Sequence, residues 1–297
     1  MSYTLHQLQV FLEVVRQKSI TKAARKMHMT QPALSIQLKN FQTQFDIPLT
    51  EIVGKKLYVT DFGHSIAELA ENVLREADAI KYKTKEYKGL FTGQLKIASA
   101  STGKYVIPYF LSGFLREHSG VDLVLDVTNK TQVVSSLKKN EIDFAVVSVV
   151  PDDINVEEEA LLENRLYLVG NTAHFDQDRP LIFRETGSAT RLAMDRYLGG
   201  GKRRKRIELT SNEAIKQAVI AGLGYSIIPL IGIKNELSRK ELHIIPKKSL
   251  PITTTWRLVW LKNKKLSPVA QAYLAYVQSN KSQIVQDSFA WYLSFDE

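Results

Sequence analysis

The stretch from Leu5 to Phe41 cannot be one continuous helix, and this limits the folds open to the chain more than any other feature. Leu5, Leu8, Phe11, Leu12 and Val15 recur at the three-and-four spacing of a single helical stripe. Ser19 and Ile20 interrupt it, and Thr21 is placed to cap a second, short helix running through Met27. Ala23 and Ala24 are small enough to let another helix approach closely. His28-Met29 suits a tight turn, and Thr30 can cap a third helix. Pro32 is tolerated in its first turn because the amides there have no partner within the helix. Leu34, Leu38 and Phe41 give that helix its buried face.

What the third helix leaves outside is polar. Its opening presents Thr30, Gln31, Pro32, Ala33 and Ser35, with Lys39 one turn further on. Glutamine can pair in bidentate fashion with adenine in the major groove, and hydroxyls and amides at a helix start suit phosphate. Two short helices, the second opening in small polar residues, are what a helix-turn-helix requires. Gly54-Lys55-Lys56 followed by alternating Leu57-Tyr58-Val59-Thr60 suits a hairpin wing with a basic tip. Residues 1–60 carry eight Lys/Arg (16, 18, 22, 25, 26, 39, 55, 56) against three acids (13, 46, 51), a net of +5. The DNA-contact set expected from this is Thr21, Thr30, Gln31, Pro32, Ala33, Ser35, Lys39, Lys55 and Lys56. A purely structural three-helix unit with a solvated basic face is the other reading of the pattern.

From Gly63 to about Lys88 nothing breaks a helix, and Ile66, Leu69, Val73, Ala77 and Ile80 trace a narrow apolar seam of coiled-coil type. The same stripe also fits a helix packed on its own domain. After Gly89 to Gly93 the pattern changes. Strands are expected at 94–98, 121–127, 144–150, 165–169, 207–209 and 256–261. Helices are expected at 104–117, 131–139, 189–197, 213–221 and 268–280. This alternation predicts an α/β domain with a largely parallel sheet.

The segment Ser19-Ile-Thr-Lys-Ala-Ala-Arg-Lys-Met-His-Met-Thr-Gln-Pro-Ala-Leu-Ser-Ile-Gln-Leu38 resembles the helix-turn-helix of LysR-type transcriptional regulators. Gly54-Lys-Lys-Leu-Tyr-Val-Thr-Asp-Phe-Gly63 is similar to that family's wing and entry to its linker helix. Leu49-Thr50-Glu51-Ile52 departs from the usual Leu-Phe-Glu-Arg, and Ile36 stands where a polar or basic residue is frequent. The second half resembles the family's effector domain, with Ser101–Pro108, Arg184–Arg191 and Ser211–Gly224 closest to regulators of RuBisCO and cysteine-related operons. The resemblance implies a winged helix-turn-helix at 1–60, a dimerising linker helix at 61–90 and a two-lobed α/β domain at 91–297, similar to periplasmic solute-binding proteins. Lobe one is placed at about 91–166 plus 266–297, and lobe two at about 167–265. The implied partners are promoter DNA, a small metabolite and a second copy of the chain, with a dimer of dimers and RNA polymerase to be weighed.

Ligands of open α/β sheets bind beyond the carboxyl ends of strands. Ser99, Ser101, Thr102 and Gly103 follow the first strand of this domain, Thr128 and Asn129 end the next, and Ser148 lies in the third. Ser188, Thr190 and Arg191 are expected to close over a small anion from lobe two. Such loops are also polar merely through solvation.

Several classes fall away. The 297 residues contain no cysteine, which removes thiol nucleophiles, disulfides and thiolate metal sites. The six histidines show no metal-ligand spacing. Gly199-Gly-Gly-Lys202 fails as a phosphate loop, because Arg196 and Arg203 occupy required positions. Lys202–Arg206 reads as a solvated basic loop. Gly222-Leu-Gly224 lacks the third glycine of a dinucleotide motif, and Ser226 lacks the glycines of a nucleophile elbow. No catalytic constellation and no cofactor are expected. No secretory signal is read in residues 1–15 and no apolar run spans a bilayer, so a cytoplasmic protein of net charge +9 is expected.

Overall fold

The computed structural model describes residues 3–54, 56–86, 91–150, 153–198, 205–295, without the side chains of 81–86. The chain divides into two compact units, Met1–Leu90 and Phe91–Glu297.

In the first unit α1 (Leu5–Gln17) starts in a capping box. The Thr4 side chain accepts from the Gln7 amide, and the Gln7 side chain accepts from the Thr4 amide. α2 (Ile20–Lys26) is capped by Ser19, whose Oγ accepts from the Lys22 amide. The expected cap, Thr21, lies instead in the first turn of α2, exposed. Two hydroxyl residues flank Ile20, and the extended backbone needed at a cap is adopted at Ser19, directly after Lys18 closes α1 in the left-handed region (φ 48°). Thr30 caps α3 (Gln31–Gln42), and His28 supplies the turn at φ 54°.

β1 (Thr50–Val53) and β2 (Lys56–Val59) form an antiparallel hairpin through Gly54 at φ +64°. α4 (Asp61–Glu86) follows at once, and Gly63 in its first turn is indispensable to the packing. A Cβ there would lie 2.0 Å from the Leu49 carbonyl oxygen. The core joins Leu8, Phe11, Leu12, Ala23, Ala24, Leu34, Leu38 and Phe41 to Ala67 and Ala70 of α4. Val10 and Val14 are wholly buried while Leu5 is exposed, because α1 packs on α4 as well as on α2 and α3.

The second unit is built on β3 (Thr92–Ala100), followed by a 3-10 turn (Ser101–Tyr105), α5 (Ile107–Glu117), β4 (Gly120–Thr128), α6 (Lys130–Lys138) and β5 (Phe144–Val147). β4 and β5 flank β3 in parallel. The two faces of β3 follow its pleat: Leu95 and Ile97 meet Phe110 and Tyr273, whereas Ala98 meets Val133 and Leu137 of α6.

β6 (Val156–Gly170) then leaves this layer. It is followed by β7 (Leu181–Arg184), α7 (Ala189–Leu198), β8 (Arg206–Leu209), α8 (Asn212–Ile220), β9 (Ser226–Pro229), α9 (Lys234–Ser238) and β10 (His243–Ile244). β11 (Ile252–Leu261) returns, and α10 (Pro268–Leu293) packs on α5 and β3.

The largest sheet runs β10-β6-β11-β5-β3-β4, with β9 also on β6, and β7 pairs in parallel with β8. It is mixed, not largely parallel: every pairing of β6 and β11 is antiparallel. These two strands run side by side from Ile252↔Leu166 to Leu261↔Val156, and a bulge falls between Trp256 and Arg257. Beyond the bulge, Arg257–Val259 also pair with β5, so β11 rejoins the first layer well ahead of residue 265.

Candidate functional site

The opening of α3 is an exposed polar surface. Thr30, Gln31, Pro32 and Lys39 are exposed, Ala33 and Ser35 half-buried, and Lys56 of the wing is exposed. Thr21 and Arg25 of α2 are exposed too, as is Ile36, at 58% an unusually open isoleucine. Lys55 lies outside the described residues. Along α4 the expected seam divides. Ile66 packs half-buried on the unit's own core and Ala77 is half-buried, whereas Leu69, Val73 and Ile80 are exposed at 60%, 44% and 71%.

In the second unit the expected ligand residues separate into two clefts and a group that lines neither. The first cleft, about 290 Å³, is lined by Thr102, Ser148 and Thr190 of the expected set. Asn164, Thr254, Ser249, Tyr197 and Arg196 complete its polar lining, between the apolar Val149, Leu166, Leu192 and Ile252. No carboxylate is among the described residues that line it. The α7 amino terminus contributes Ala189 and Thr190, where helix amides favour negative charge.

The second cleft holds Ser101, Thr128 and Asn129 with Lys104, Arg184, Glu185, Thr210, Ser211 and Asn212. Four of its polar groups are already engaged with one another: Arg184, Glu185, Ser101 and Asn212. Arg184 donates Nη1 to Ser101 Oγ at 3.0 Å and to Asn212 Oδ1, while its Nε and Nη2 clasp the Glu185 carboxylate at 2.7 and 2.8 Å. Asn212 Nδ2 donates to the same Ser101 hydroxyl at 3.0 Å. Asn129 Oδ1 accepts from the Gln132 amide as the cap of α6.

Four expected ligand residues line neither cleft. Ser99 is wholly buried beneath the 101–105 turn, its hydroxyl donating to the Ala100 carbonyl. Gly103 lets that turn settle, since a Cβ there would lie 2.2 Å from Ser99 Oγ. The Ser188 hydroxyl accepts from the Arg191 amide at the start of α7. The Arg191 guanidinium is tied to Asp195 at 2.7 Å, to Glu208 at 2.8 Å and to the Arg184 carbonyl at 3.0 Å. Burial opposes its charge, but hydrogen bonds to Glu208 and Asp195 outweigh that and raise its pKa above the usual value. Its charge is therefore matched within the fold, and Arg196 is the arginine at the first cleft.

A model of the bacterial regulatory helix-turn-helix protein, lysR family, matches residues 5–64, and a model of the LysR substrate binding domain matches residues 88–282. The chain belongs to the LysR family of transcriptional regulators. This LysR regulator is 36% identical to a RuBisCO operon transcriptional regulator from Acidithiobacillus ferrooxidans, over 92% of this chain and 93% of that protein. It is 32% identical to the HTH-type transcriptional activator CmpR of Synechocystis, over 92% and 94% of the two chains. Among solved structures, the CcmR regulatory domain from Synechocystis PCC6803 in complex with 2-PG is 33% identical, with a TM-score of 0.60, and covers 64% of this chain and 98% of that one.

The LysR regulator is thus a sequence-specific DNA-binding protein with an effector-binding domain. Among the described residues no helix is long and apolar enough to cross a membrane, and no cluster of His, Asp and Glu is arranged to hold a metal. Arg196 and Tyr197 were not among the expected ligand residues, and helical spacing from Thr190 is the signal that could have found them. They lie three or four residues beyond Ala193, which itself lies three or four beyond Ala189 and Thr190.

Proposed function

We propose that this LysR regulator reads promoter DNA with α3 and its wing, and that a small anion bound in the Thr102–Arg196 cleft modulates it. The carrying observation is the lining of that cleft: hydroxyls, one amide, an arginine and a helix amino terminus, with no carboxylate among the described residues. Such a set favours an anion, because every ionised group that lines it is positive. The relative solved with 2-PG supports this chemistry, and we take 2-phosphoglycolate (2-PG) as the probe.

The protein works without a catalytic step of its own, in the cytoplasm where promoters are, as a dimer that pairs further into tetramers and acts beside RNA polymerase. Support for the non-catalytic reading comes from relatives that are named as transcriptional regulators. Gln31 is the base-reading residue, with Thr30, Ser35 and Lys39 on phosphate and Lys56 on the wing. Gln31→Ala is expected to cost about 1–3 kcal/mol on specific DNA and to relax sequence preference. Lys56→Ala is expected to weaken binding evenly over sequences and lower the salt slope by about one unit. An equal loss on specific and random duplexes for Gln31→Ala would remove its base-reading role, and an unequal loss for Lys56→Ala would remove its role as a phosphate contact.

Isothermal titration with 2-PG tests the cleft. Thr102→Ala is expected to weaken binding several-fold. Arg196→Ala is expected to weaken it about ten-fold or more, since a charge-assisted hydrogen bond contributes about 1.5–3 kcal/mol. Unchanged affinity in both would remove the cleft assignment.

A further inference from the structure

Asn164 is 98% buried, and its side chain lines the first cleft. Its Nδ2 donates to Thr254 Oγ1 at 2.9 Å, across the antiparallel pair Thr254↔Asn164 of the two crossing strands. Among the described residues its Oδ1 has no hydrogen-bond partner. Among the described residues Asn140, Arg165, Trp256 and Tyr273 also carry buried polar atoms without a hydrogen-bond partner, and none of them lines either cleft. An orphaned buried amide atom costs about 1–3 kcal/mol in lost hydration unless a partner completes it.

We propose that Asn164 is a further ligand-binding residue of the effector site, donating an amide N–H to an anionic oxygen, with Thr254 accommodating the amide in that sense. The reading rests on the anion cleft described above. A carboxamide turned by half a rotation keeps its shape and exchanges donor for acceptor. The pair with Thr254 survives that exchange, because the hydroxyl can donate to Oδ1 as readily as accept from Nδ2. An ionised phosphate or carboxylate offers acceptors only, so its arrival selects the orientation in which Nδ2 faces the cleft. A ligand with a hydroxyl or amine at this point would select the other. The Asn164–Thr254 pair therefore adapts to the ligand's hydrogen-bond polarity, and the selection of an anion falls to Arg196.

The test measures 2-PG affinity by isothermal titration, and unfolding temperature without ligand, on the full chain. Asn164→Leu is expected to weaken 2-PG binding about ten- to a hundred-fold, the effect of one hydrogen bond to a charged group. Its unliganded unfolding temperature should change little, because removal of the orphaned atom offsets the lost bond to Thr254. A merely structural asparagine would give the opposite pair of results: a lower unfolding temperature and unchanged affinity. Asn164→Asp retains the Thr254 partner and replaces the N–H donor with a carboxylate oxygen, so it should weaken binding at least as much as Asn164→Leu. It also provides the answer should the leucine variant fail to fold.

Thr254→Val should weaken binding several-fold in the natural chain and add little to Asn164→Leu. Affinities within two-fold of the natural chain for Asn164→Leu and Asn164→Asp, with Arg196→Ala still weakened, would overturn this inference and leave the anion cleft standing. A natural chain that binds neither 2-PG nor inorganic phosphate would overturn both.

Discussion

Val73→Asp is expected to convert the associated protein to monomers and to lower operator affinity by orders of magnitude. Leu69, Val73 and Ile80 leave three large apolar side chains exposed along one side of α4, about a quarter-turn around the helix from Ala67 and Ala70, which pack into the unit's core. Covering each such side chain is worth about 1.5–3 kcal/mol, and an aspartate in the middle of the covered stripe would have to be desolvated without a partner. A helix-turn-helix reads two half-sites through paired copies, so a monomer forfeits the contribution of the second. Sedimentation velocity and operator titration should move together. An unchanged sedimentation coefficient would make the stripe an ordinary exposed face.

Glu185→Ala is expected to destabilise the second unit by about 3–5 kcal/mol. The Arg184 side chain is only 2% exposed, and Glu185 is its charge partner, clasping two of the guanidinium nitrogens. Ser101 and Asn212 would remain as neutral acceptors, leaving a buried cation uncompensated, which is the costly way to break such a pair. Urea unfolding followed by a probe in the second unit reads this loss. A change of only a few tenths of a kcal/mol would mean that the guanidinium is hydrated well enough to do without its partner.

The helix-turn-helix was legible in the sequence because its determinants are local: Pro32 in a first turn, a hydroxyl before each helix, and small residues where helices touch. Thr21 was misjudged as a cap for a local reason as well, since Ser19 offers the same chemistry two positions earlier. Of the expected seam, Leu69, Val73 and Ile80 are exposed, but spacing alone could not show that Ile66 faces the unit's own core.

The effector domain was legible as α/β and less so as a site. Ser101 and Thr102 are consecutive, yet the 3-10 turn they open directs one to each cleft. Arg191 was expected to reach an anion from lobe two, but its partner Glu208 lies on a strand that only the fold brings close. The expected strand at 165–169 covers only the end of β6, whose first half opens with the acidic Glu157-Glu158-Glu159. In the fold these acids meet Trp260, Arg257 and Lys281. Asn164 and Thr254 are ninety positions apart in sequence, and only the antiparallel register unites them.

The central claim, that an anion in the Thr102–Arg196 cleft governs DNA binding, is tested most directly by titrating a labelled operator with the full chain, with and without saturating 2-PG. The operator would first be located by genome-wide footprinting. A coupling free energy of about 1–3 kcal/mol predicts an operator affinity shifted about 5–150-fold by the anion, in either direction, and a shift that disappears in Arg196→Ala. Superimposable isotherms for the natural chain, with 2-PG shown by calorimetry to be bound, would contradict the account.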